Sequence, residues 1–338
     1  MARRYINQLA NGETLDEVFL VADKQLRANR AGNLYLQVDL RDKTGVISSR
    51  MWNATDNLYR TFDVQDYLQC HGKVQVFQGA LQLILNQITK VDPSRVNVAE
   101  FLPHTEKDRD RLLARVREIL LGMKDPHLRA LVECFLIDDD FVRKFTTAPA
   151  GIRNHHAYLG GLLEHVCTLL EAATRLLDFY PQLDRDLILC GAFLHDLGKI
   201  NELNYEKAFG YSDEGQLVGH LVIGVELLDG KIHEAEKLTG EAFPTELALR
   251  LKHMILSHHG SYEFGSPRLP MTPEAIALHH LDNLDAKVHA FCREIRDDPN
   301  RQSAWTAYNA TLGRKLFKGA VEYEIGPSVD LFPPDGEN

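Results

Sequence analysis

Residues 192–200 read AFLHDLGKI, a stretch in which His195 and Asp196 are adjacent. The apolar run LILCGAFL leads into this pair, and an ionised Asp196 buried there without a partner would be costly. A cation would remove that cost, since imidazole nitrogens and carboxylate oxygens are common ligands of divalent metals. Lys199 follows closely and is well placed to meet a phosphate. The stretch predicts a metal site that handles phosphate, the alternative being a buried histidine with a capping aspartate.

Further side chains of the same type recur inside or at the ends of apolar helical stretches. They are His165, His220, His258, His259 and Asp282. A lone histidine on an apolar helix face is usually a packed core residue, but this recurrence favours ligands that can build a two-metal phosphoesterase site. Asp285 lies three residues after Asp282 and shares its helix face, so either one could bind metal while the other supports a ligand from behind or forms an ion pair. His279 and His280 are weaker candidates, expected to pack or to support a ligand.

The composition is that of a folded protein, with 44% hydrophobic and 25% charged residues in 338. No apolar run approaches the roughly 20 residues that a membrane helix requires. The first residues, MARRYINQLANGETL, lack the apolar segment of a signal peptide. The cysteines are five, scattered and without CxxC spacing, which indicates reduced thiols. We therefore expect a cytoplasmic protein that does not enter a membrane.

The charge is unevenly distributed along the chain. The formal net charge of -10 argues against a protein that coats nucleic acid by bulk electrostatics. Residues 1–92 hold 11 Lys and Arg against 10 Asp and Glu, so the remainder carries -11. An acidic second part suits a domain that collects cations, whereas a near-neutral first part can hold a strand by stacking.

Residues 17–92 predict a small OB-like barrel of five short strands. In GNLYLQVDLRD the apolar Leu34, Leu36, Val38 and Leu40 alternate with polar positions, as in a half-buried strand. A polar stretch, NATDNLYRTF, separates the third strand from the fourth, and Gln78-Gly79 is expected to turn between the last two. Another five-stranded barrel or sheet is the alternative.

Downstream of Asp92-Pro93 the pattern becomes helical, which predicts an all-α second domain. Apolar residues recur at three- and four-residue spacing over 106–123 and 127–145. Further helices are expected over 155–179, 184–196, 217–229, 244–258, 272–290 and 300–317. Asn154 is expected to cap the first of them, and Gly198 to end the helix over 184–196. The predicted division is a barrel over 1–92, a helical connector over 93–150, the site domain over 151–318 and a flexible tail over 319–338.

The motifs of residues 149–318 resemble the HD-domain superfamily of metal-dependent phosphohydrolases. The resemblance rests on His165, the HDLGK run and the late Asp282, and the whole chain is similar to the YhaM-type 3′→5′ exoribonucleases of bacteria. It implies that His165, His195, Asp196 and Asp282 hold one ion and that Asp196 bridges to a second. His220 and His258 would hold the second ion, with His259 at its edge. The implied metal is manganese, although the ligands alone would admit Fe, Ni, Co or Zn.

Several side chains are candidates for contacting a substrate strand. On the barrel these are Tyr35, Trp52 and Phe77 for stacking on bases, with Arg50 and Lys73 for phosphates. Trp52 and Phe77 could instead plug the ends of the barrel. In the second domain the candidates are Arg153, His156, Tyr158, Tyr262 and Arg268.

Three functions are compatible with these observations. The first is a 3′→5′ exoribonuclease that uses Asp196 and Lys199 in a two-metal hydroxide mechanism on single-stranded RNA, and also on single-stranded DNA. The second is a phosphohydrolase of nucleotides or cyclic nucleotides, in which the barrel regulates or drives assembly. The third is a nucleic-acid-binding factor without catalysis, although structural metal sites do not need Lys199. The family resemblance also makes a homo-oligomer an expectation.

Overall fold

The computed structural model describes residues 3–29, 32–77, 80–152, 156–205, 209–298 and 303–319. The strands are β1 (Thr14–Ala28), β2 (Leu34–Asp42), β3 (Gly45–Trp52), β4 (Tyr67–Phe77), β5 (Ala80–Val91), β6 (Leu203–Asn204) and β7 (Gly210–Tyr211). The helices are α1 (Asp56–Tyr59), α2 (Arg109–Leu121), α3 (Pro126–Leu136), α4 (Asp139–Thr147), α5 (Gly161–Leu176), α6 (Arg185–Leu194), α7 (Lys199–Glu202), α8 (Asp213–Leu217), α9 (His220–Thr239), α10 (Thr245–Ser257) and α11 (Pro273–Asp297).

Strands β1–β5 form the closed five-stranded barrel that the sequence predicts. They close in the order β1-β2-β3-β5-β4, with β3 and β5 parallel and the other pairs antiparallel. Leu36, Val38 and Leu40 of β2 are completely buried, as their alternation requires. Leu34, expected on the same inner face, is 40% exposed because it lies at the open end of the strand. The predicted turn at Gln78-Gly79 lies outside the described residues.

The polar stretch between β3 and β4 contains the one-turn helix α1 and Phe62. The Phe62 side chain is 1% exposed and belongs to the barrel core, and Leu58 and Tyr59 pack against the same core. Phe62 therefore fills the barrel interior, a role that the sequence left open for Trp52 and Phe77. Those two rings are 46% and 43% exposed and lie on the outer surface.

Most of the remaining helices share one apolar core, and the second domain is helical as predicted, apart from the two-residue strands β6 and β7. This core joins buried side chains of α2–α6 with those of α9, α10 and α11. Phe135, Phe141, Phe145 and Phe193 form its aromatic centre, mostly in edge-to-face contact. Helices α2–α4, from the segment predicted as a connector, are thus part of the same packed unit.

Some predicted helix bounds are wrong. Helix α5 begins at Gly161 and not at 155, because His156 and Gly160 have φ values of 49° and 80°, which no helix contains. Tyr158 therefore precedes the helix on which it was expected. Asn154, the predicted N-cap, lies outside the described residues. Helix α6 ends at Leu194, four residues before Gly198, and α9 runs from His220 to Thr239 where 217–229 was expected.

The helix predicted over 300–317 is also wrong for the described residues 303–317. Trp305 pairs with Phe317 and Asn309 with Arg314 in isolated antiparallel bridges. Gly313 between them has φ 64°, so the chain reverses direction there and cannot continue as a helix. The spacing of the apolar residues in this segment resembles a helical period by coincidence. Residues 320–338, nearly all of the predicted tail, lie outside the described part.

A short bridge attaches the barrel to the helix that carries His165. Leu20 and Tyr67 of the barrel pack with Phe101 and Leu102, and Leu159 packs against this cluster. The Leu159 amide donates to the Pro103 carbonyl (2.8 Å), and the Thr105 amide donates to the Leu159 carbonyl (2.9 Å). Leu159 lies two residues before α5. These contacts therefore connect the barrel directly to the start of α5.

Across the described part of the chain, every helix is either too short or too polar to span a bilayer.

Candidate metal centre

Five histidines predicted as ligands converge on one buried centre, and each has its Nδ1 held by an oxygen. The Nδ1-to-oxygen distances are 2.7 Å for His165 to Asp285, 2.9 Å for His195 to the Ala192 carbonyl, 2.9 Å for His220 to Glu202, 2.8 Å for His258 to the Ile255 carbonyl and 2.9 Å for His259 to the Phe264 carbonyl. A carbonyl oxygen only accepts, so the carbonyl-bound Nδ1 atoms carry protons. The lone pair of the ring then lies on Nε2, which points into the centre.

Two of these histidines occupy equivalent places at helix ends. His195 follows α6 and His258 follows α10, each as the C-cap residue. The last carbonyls of a helix have no partner within it, and each histidine donates its Nδ1 to the carbonyl three residues earlier. The same local geometry therefore turns both rings towards the space between the helices. The two ring centroids are 4.8 Å apart.

His165, His195 and Asp282 form the first ligand group. The Nε2 atoms of the two histidines are 3.2 Å apart, and His165 Nε2 is 3.3 Å from Asp282 Oδ1. Both histidine side chains are completely buried. The three ligand atoms lie within 4.8 Å of one another, which suits a single cation between them.

His220, His258 and His259 form the second ligand group. The Nε2 atoms of His220 and His259 are 3.2 Å apart, and the ligand atoms of all three residues lie within 4.8 Å of one another. Both members of the double histidine therefore turn towards the centre, whereas the sequence required only one of them to do so.

Asp196 lies between the two groups and presents one carboxylate oxygen to each. Its Oδ2 is 3.4 Å from His195 Nε2, in the first group. Its Oδ1 is 3.5 Å from His258 Nε2 and 3.6 Å from His220 Nε2, in the second. Lys199 Nζ lies 2.6 Å from Oδ2. Asp196 is the residue that the centre shares.

A glycine on each side lets the backbones come close enough to build this arrangement. A Cβ on Gly161 would lie 2.1 Å from the His156 carbonyl oxygen, and one on Gly198 would lie 2.0 Å from the His220 carbonyl oxygen. At both positions another backbone lies too close for any residue with a side chain. Gly198 was expected to end α6, but α6 ends earlier, at Leu194. Gly198 instead allows the turn after Asp196 to pack on the start of α9.

The residues behind the ligands are those that sequence reasoning missed or placed elsewhere. Glu202 was not a candidate, yet its Oε1 accepts from both the amide (3.0 Å) and the Nδ1 (2.9 Å) of His220. Its position three residues after Lys199 on α7 is the only signal that could have indicated it. Asp285 holds Nδ1 of His165, which matches the supporting role considered for it. His279 donates to the His258 carbonyl at 2.7 Å and likewise supports the centre.

His156 and Tyr158, expected to contact substrate, lie behind the first ligand group instead. His156 is 3% exposed, with Nε2 3.0 Å from Asp285 and Nδ1 2.7 Å from the Tyr158 hydroxyl. The same hydroxyl donates to Glu164 at 2.9 Å. Because these atoms are engaged in a buried network, the two side chains are placed to orient Asp285 and His165.

Asp282, Asp285 and His259 have the protonation states that metal binding requires. Burial favours a neutral carboxyl, yet the neighbouring histidines outweigh it and hold the pKa of Asp282 and of Asp285 well below the usual range. Burial, reinforced by His258 and His220, lowers the pKa of His259 to about 4. Ionised carboxylates and neutral imidazoles are the ligand forms that bind divalent cations.

Nearby carboxylates raise the pKa of both Lys199 and His165. Burial disfavours both cations, but Asp196 outweighs it and raises the pKa of Lys199. Asp282 and Asp285 likewise raise the pKa of His165 to about 10. The three carboxylates Asp196, Asp282 and Asp285 outnumber the two cations, the Lys199 ammonium and the His165 imidazolium. The cluster therefore attracts further positive charge at the position between the ligands.

One buried oxygen without a hydrogen-bond partner tests whether a metal fits this centre. Asp196 Oδ1 is buried and has no hydrogen-bond partner, a state that costs about 1–3 kcal/mol or more for a charged group. It faces the Nε2 atoms of His220 and His258, which are acceptors themselves when neutral. Only a cation satisfies an unpaired carboxylate oxygen and two such lone pairs together. The residues present fit divalent metal binding.

The predicted strand-binding residues of the barrel do come together on its outer face. The rings of Tyr35 and Trp52 are 5.3 Å apart, and the Arg50 guanidinium lies 5.2–5.9 Å from the rings of Tyr35, Trp52 and Phe77. We call these four residues the aromatic patch. Arg50 pairs in register with Ile84, and Ile84 with Lys73, so the exposed Lys73 shares this outer face. Arg50 Nε has no hydrogen-bond partner.

The remaining candidates follow the second ligand group in the chain. Tyr262 and Arg268 are exposed on the loop after His259. Arg153, the last candidate for contacting substrate, lies outside the described residues.

Comparison with known protein families agrees with both halves of this description. A family described as the HD domain matches residues 162–287, and one described as an OB-fold nucleic acid binding domain matches residues 20–91. The fold and the site thus define a protein with an OB-fold barrel followed by a helical HD domain.

Curated relatives extend the match to nearly the whole chain. The 3'-5' exoribonuclease YhaM of Geobacillus sp. (strain WCH70) is 31% identical over 319 residues, which cover 93% of this chain and 96% of the relative. YhaM of Bacillus subtilis (strain 168) is 34% identical over 285 residues, 84% of this chain and 88% of the relative. The chain belongs to the YhaM family of 3'-5' exoribonucleases.

Proposed function

We propose that this protein is a metal-dependent 3′→5′ exoribonuclease that shortens single-stranded RNA and releases 5′-mononucleotides. The observation that carries the proposal is Asp196, whose two oxygens face two separate histidine groups. A shared carboxylate between two ligand groups is the arrangement that supports phosphodiester hydrolysis with two ions. The direction of attack and the preference for RNA rest on the activity named for the relatives.

In this proposal His165, His195 and Asp282 hold one divalent ion, and the second group of histidines holds the other. When bound, the ions would activate water at neutral pH and neutralise charge on the scissile phosphate. Asp196 would fix the spacing of the pair. Glu202 and Asp285 would keep the Nε2 atoms of their histidines directed at the ions.

Lys199 has a separate task. Its ammonium already lies 2.6 Å from Asp196 Oδ2, so it is beside the position where the phosphate would bind. From this position the ammonium would donate to a non-bridging oxygen of the phosphate. Negative charge grows on those oxygens during hydrolysis, and a preorganised donor stabilises it.

The aromatic patch would hold the RNA upstream of the reacting end. The exposed rings of Trp52 and Phe77, the half-buried ring of Tyr35 and one guanidinium offer stacking and charge without reading the sequence. The short bridge between Pro103 and Leu159 would keep the barrel positioned over the helix that carries His165. We retain the division of the chain at about residue 92 as part of the proposal. The boundary at about residue 150 marks the start of the segment that carries the ligands, because α2–α4 pack into the same core as that segment.

Manganese is the ion we propose first, from the family resemblance, with Fe, Ni, Co or Zn compatible with the same nitrogen and oxygen donors. All five cysteines are unpaired thiols, four of them buried, which supports a reducing compartment such as the cytoplasm. A homo-oligomer remains part of the proposal and is tested by sedimentation.

A time course on 5′-labelled single-stranded RNA tests the proposed function. With Mn²⁺ we expect the labelled strand to shorten stepwise from its 3′ end, with unlabelled 5′-mononucleotides released, and EDTA should stop the reaction. DNA of the same sequence measures the sugar preference. Early release of a labelled mononucleotide would show the opposite direction. If neither strand is hydrolysed with any of the five metals while a nucleotide or cyclic nucleotide is, the protein is a small-molecule phosphohydrolase.

Trp52→Ala tests the role of the barrel. Base stacking on an aromatic ring is worth roughly 1–3 kcal/mol, so kcat/KM on a long RNA should fall between about fivefold and about 150-fold. A dinucleotide, which has no upstream bases for the aromatic patch to hold, should be hydrolysed at an unchanged rate. Trp305→Ala, at a tryptophan that is 50% exposed outside the barrel, is the matched control. Equal losses on both substrates would contradict a strand-holding role.

A further inference from the structure

Two exposed aromatic side chains stand on the loop beside the second ligand group. Tyr262 and Phe264, in a single 3₁₀ turn, are 64% and 65% exposed. Neither belongs to an apolar core, so their rings do not stabilise the fold by burial. Phe264 was not among the candidates from sequence. Large apolar rings held in solvent next to a binding centre often contact a ligand.

The loop that carries these rings is anchored to the metal centre itself. His259 Nδ1 donates to the Phe264 carbonyl at 2.9 Å, so one ring nitrogen of a ligand fixes the position of the Phe264 backbone. Ser266 Oγ donates to the Leu256 carbonyl at 3.0 Å and ties the far side of the loop to α10. At Gly260, with φ 77°, a Cβ would lie 2.1 Å from the His279 ring. The loop therefore has little freedom to move away from the centre.

A second apolar segment leads to the same pair of histidines. Leu217 and Val218, just before His220, are 85% and 44% exposed. The Nε2 atoms of His220 and His259 are 3.2 Å apart, so this segment and the Phe264 loop border one position. This position is bordered by the polar Nε2 atoms of the two histidines and by the apolar side chains of the two segments. Such surroundings suit a phosphate attached to a flat apolar group.

A nucleobase is the occupant that these features favour. An enzyme that removes the last nucleotide has its scissile phosphate at the metals and the terminal base one nucleoside away. Stacking suits such a site because every base has a π-face, and a nuclease that removes each nucleotide in turn must accept all four bases. A second protein chain would need a far larger apolar surface than two rings and two aliphatic side chains.

We propose that Phe264, with Tyr262 beside it, stacks on the 3′-terminal nucleobase and thereby sets the last phosphodiester at the metal centre. This inference rests on the proposed function and adds the recognition of the terminal base to it. His259 then has two tasks, since it offers Nε2 to the metal and Nδ1 to the loop that carries Phe264.

The test compares two RNA substrates that differ only at the 3′ end, one normal and one ending in an abasic ribonucleotide. For Phe264→Ala we expect kcat/KM on the normal RNA to fall between about fivefold and about 150-fold, the range of one base–aromatic stack. On the abasic RNA, which the wild type should already hydrolyse more slowly, the same variant should lose nothing further. Phe264→Tyr should retain the wild-type rates, and bound Mn²⁺ should be the same in all variants.

Phe179→Ala is the matched control, because Phe179 is 77% exposed on the turn after α5, away from the ligands. Tyr262→Ala should show the same selectivity with a smaller loss. Equal losses on both RNAs would overturn the inference, since the loop would then only support His259. Unchanged rates on both would overturn it as well. Failure of the wild type on normal RNA would instead contradict the proposed function, and this inference with it.

Discussion

Asp196→Asn should lower kcat for RNA hydrolysis by about 10³-fold or more, the largest effect expected for any substitution in this chain. The amide keeps the size of the side chain but removes the charge that both ligand groups share. Oδ1, buried without a partner, and Oδ2, 2.6 Å from Lys199, both lose their attraction for a cation. Bound Mn²⁺, measured by elemental analysis after dialysis, should fall from about two ions per chain to one or none.

A second carboxylate provides the control for this variant. Asp138 pairs with the buried Lys231 at 2.8 Å, much as Asp196 pairs with Lys199, but lies outside the metal centre. Asp138→Asn should leave kcat and metal content unchanged. Asp196→Asn also leaves Lys199 charged and buried without its partner, which should destabilise the fold. The melting temperature of the variant is therefore measured without metal. The double variant that also carries Lys199→Met should recover any lost melting temperature. Hydrolysis at the wild-type rate by folded Asp196→Asn would refute the shared-carboxylate centre.

Lys199→Met should lower kcat by about 10²- to 10³-fold while two metal ions stay bound. This is the range seen when one donor to a developing negative charge is removed from an enzyme. Lys199 is 9% exposed and close to Asp196, yet it belongs to neither ligand group. Its loss should therefore affect the reacting phosphate more than the metals, and KM for RNA should change much less than kcat.

The measurement pairs single-turnover rates with metal content. Lys231→Met, which removes an equally buried lysine from the pair with Asp138, is the matched control and should keep the wild-type rate. If Lys199→Met loses its metals together with its activity, Lys199 serves only to hold Asp196 in place. A normal rate with both metals bound would exclude it from the reaction altogether.

The parts of the fold that could be predicted from the sequence are those with a strong local period. The alternation in β2 and the apolar spacing in α10 both appear where expected, because each follows from side chains a few residues apart. The failures lie where a distant contact decides. Residues 305–317 have helix-like spacing but pair across Gly313, and Tyr158 leaves the predicted helix because the backbone turns at His156 and Gly160.

In the candidate metal centre, too, some residues could be recognised from the sequence and others could not. His195, Asp196 and Lys199 could be recognised together because one short stretch contains them. Glu202 was missed although it lies in the adjoining turn, since nothing in its surroundings distinguishes it from a surface carboxylate. Its importance comes from His220, which is 18 residues away and which it holds through two hydrogen bonds.

By itself, the sequence determined the chemistry of this protein: the imidazoles and carboxylates available to a metal, and the alternating strands of a barrel. Residue type and local periodicity are properties of short segments, so they can be read without a fold. Only the tertiary structure decided which histidines lie close enough to share an ion, which oxygen of Asp196 each group faces, and that Phe62 is inside the barrel while Trp52 is outside. These are relations between segments that are far apart in the chain, and only packing sets the distances between them.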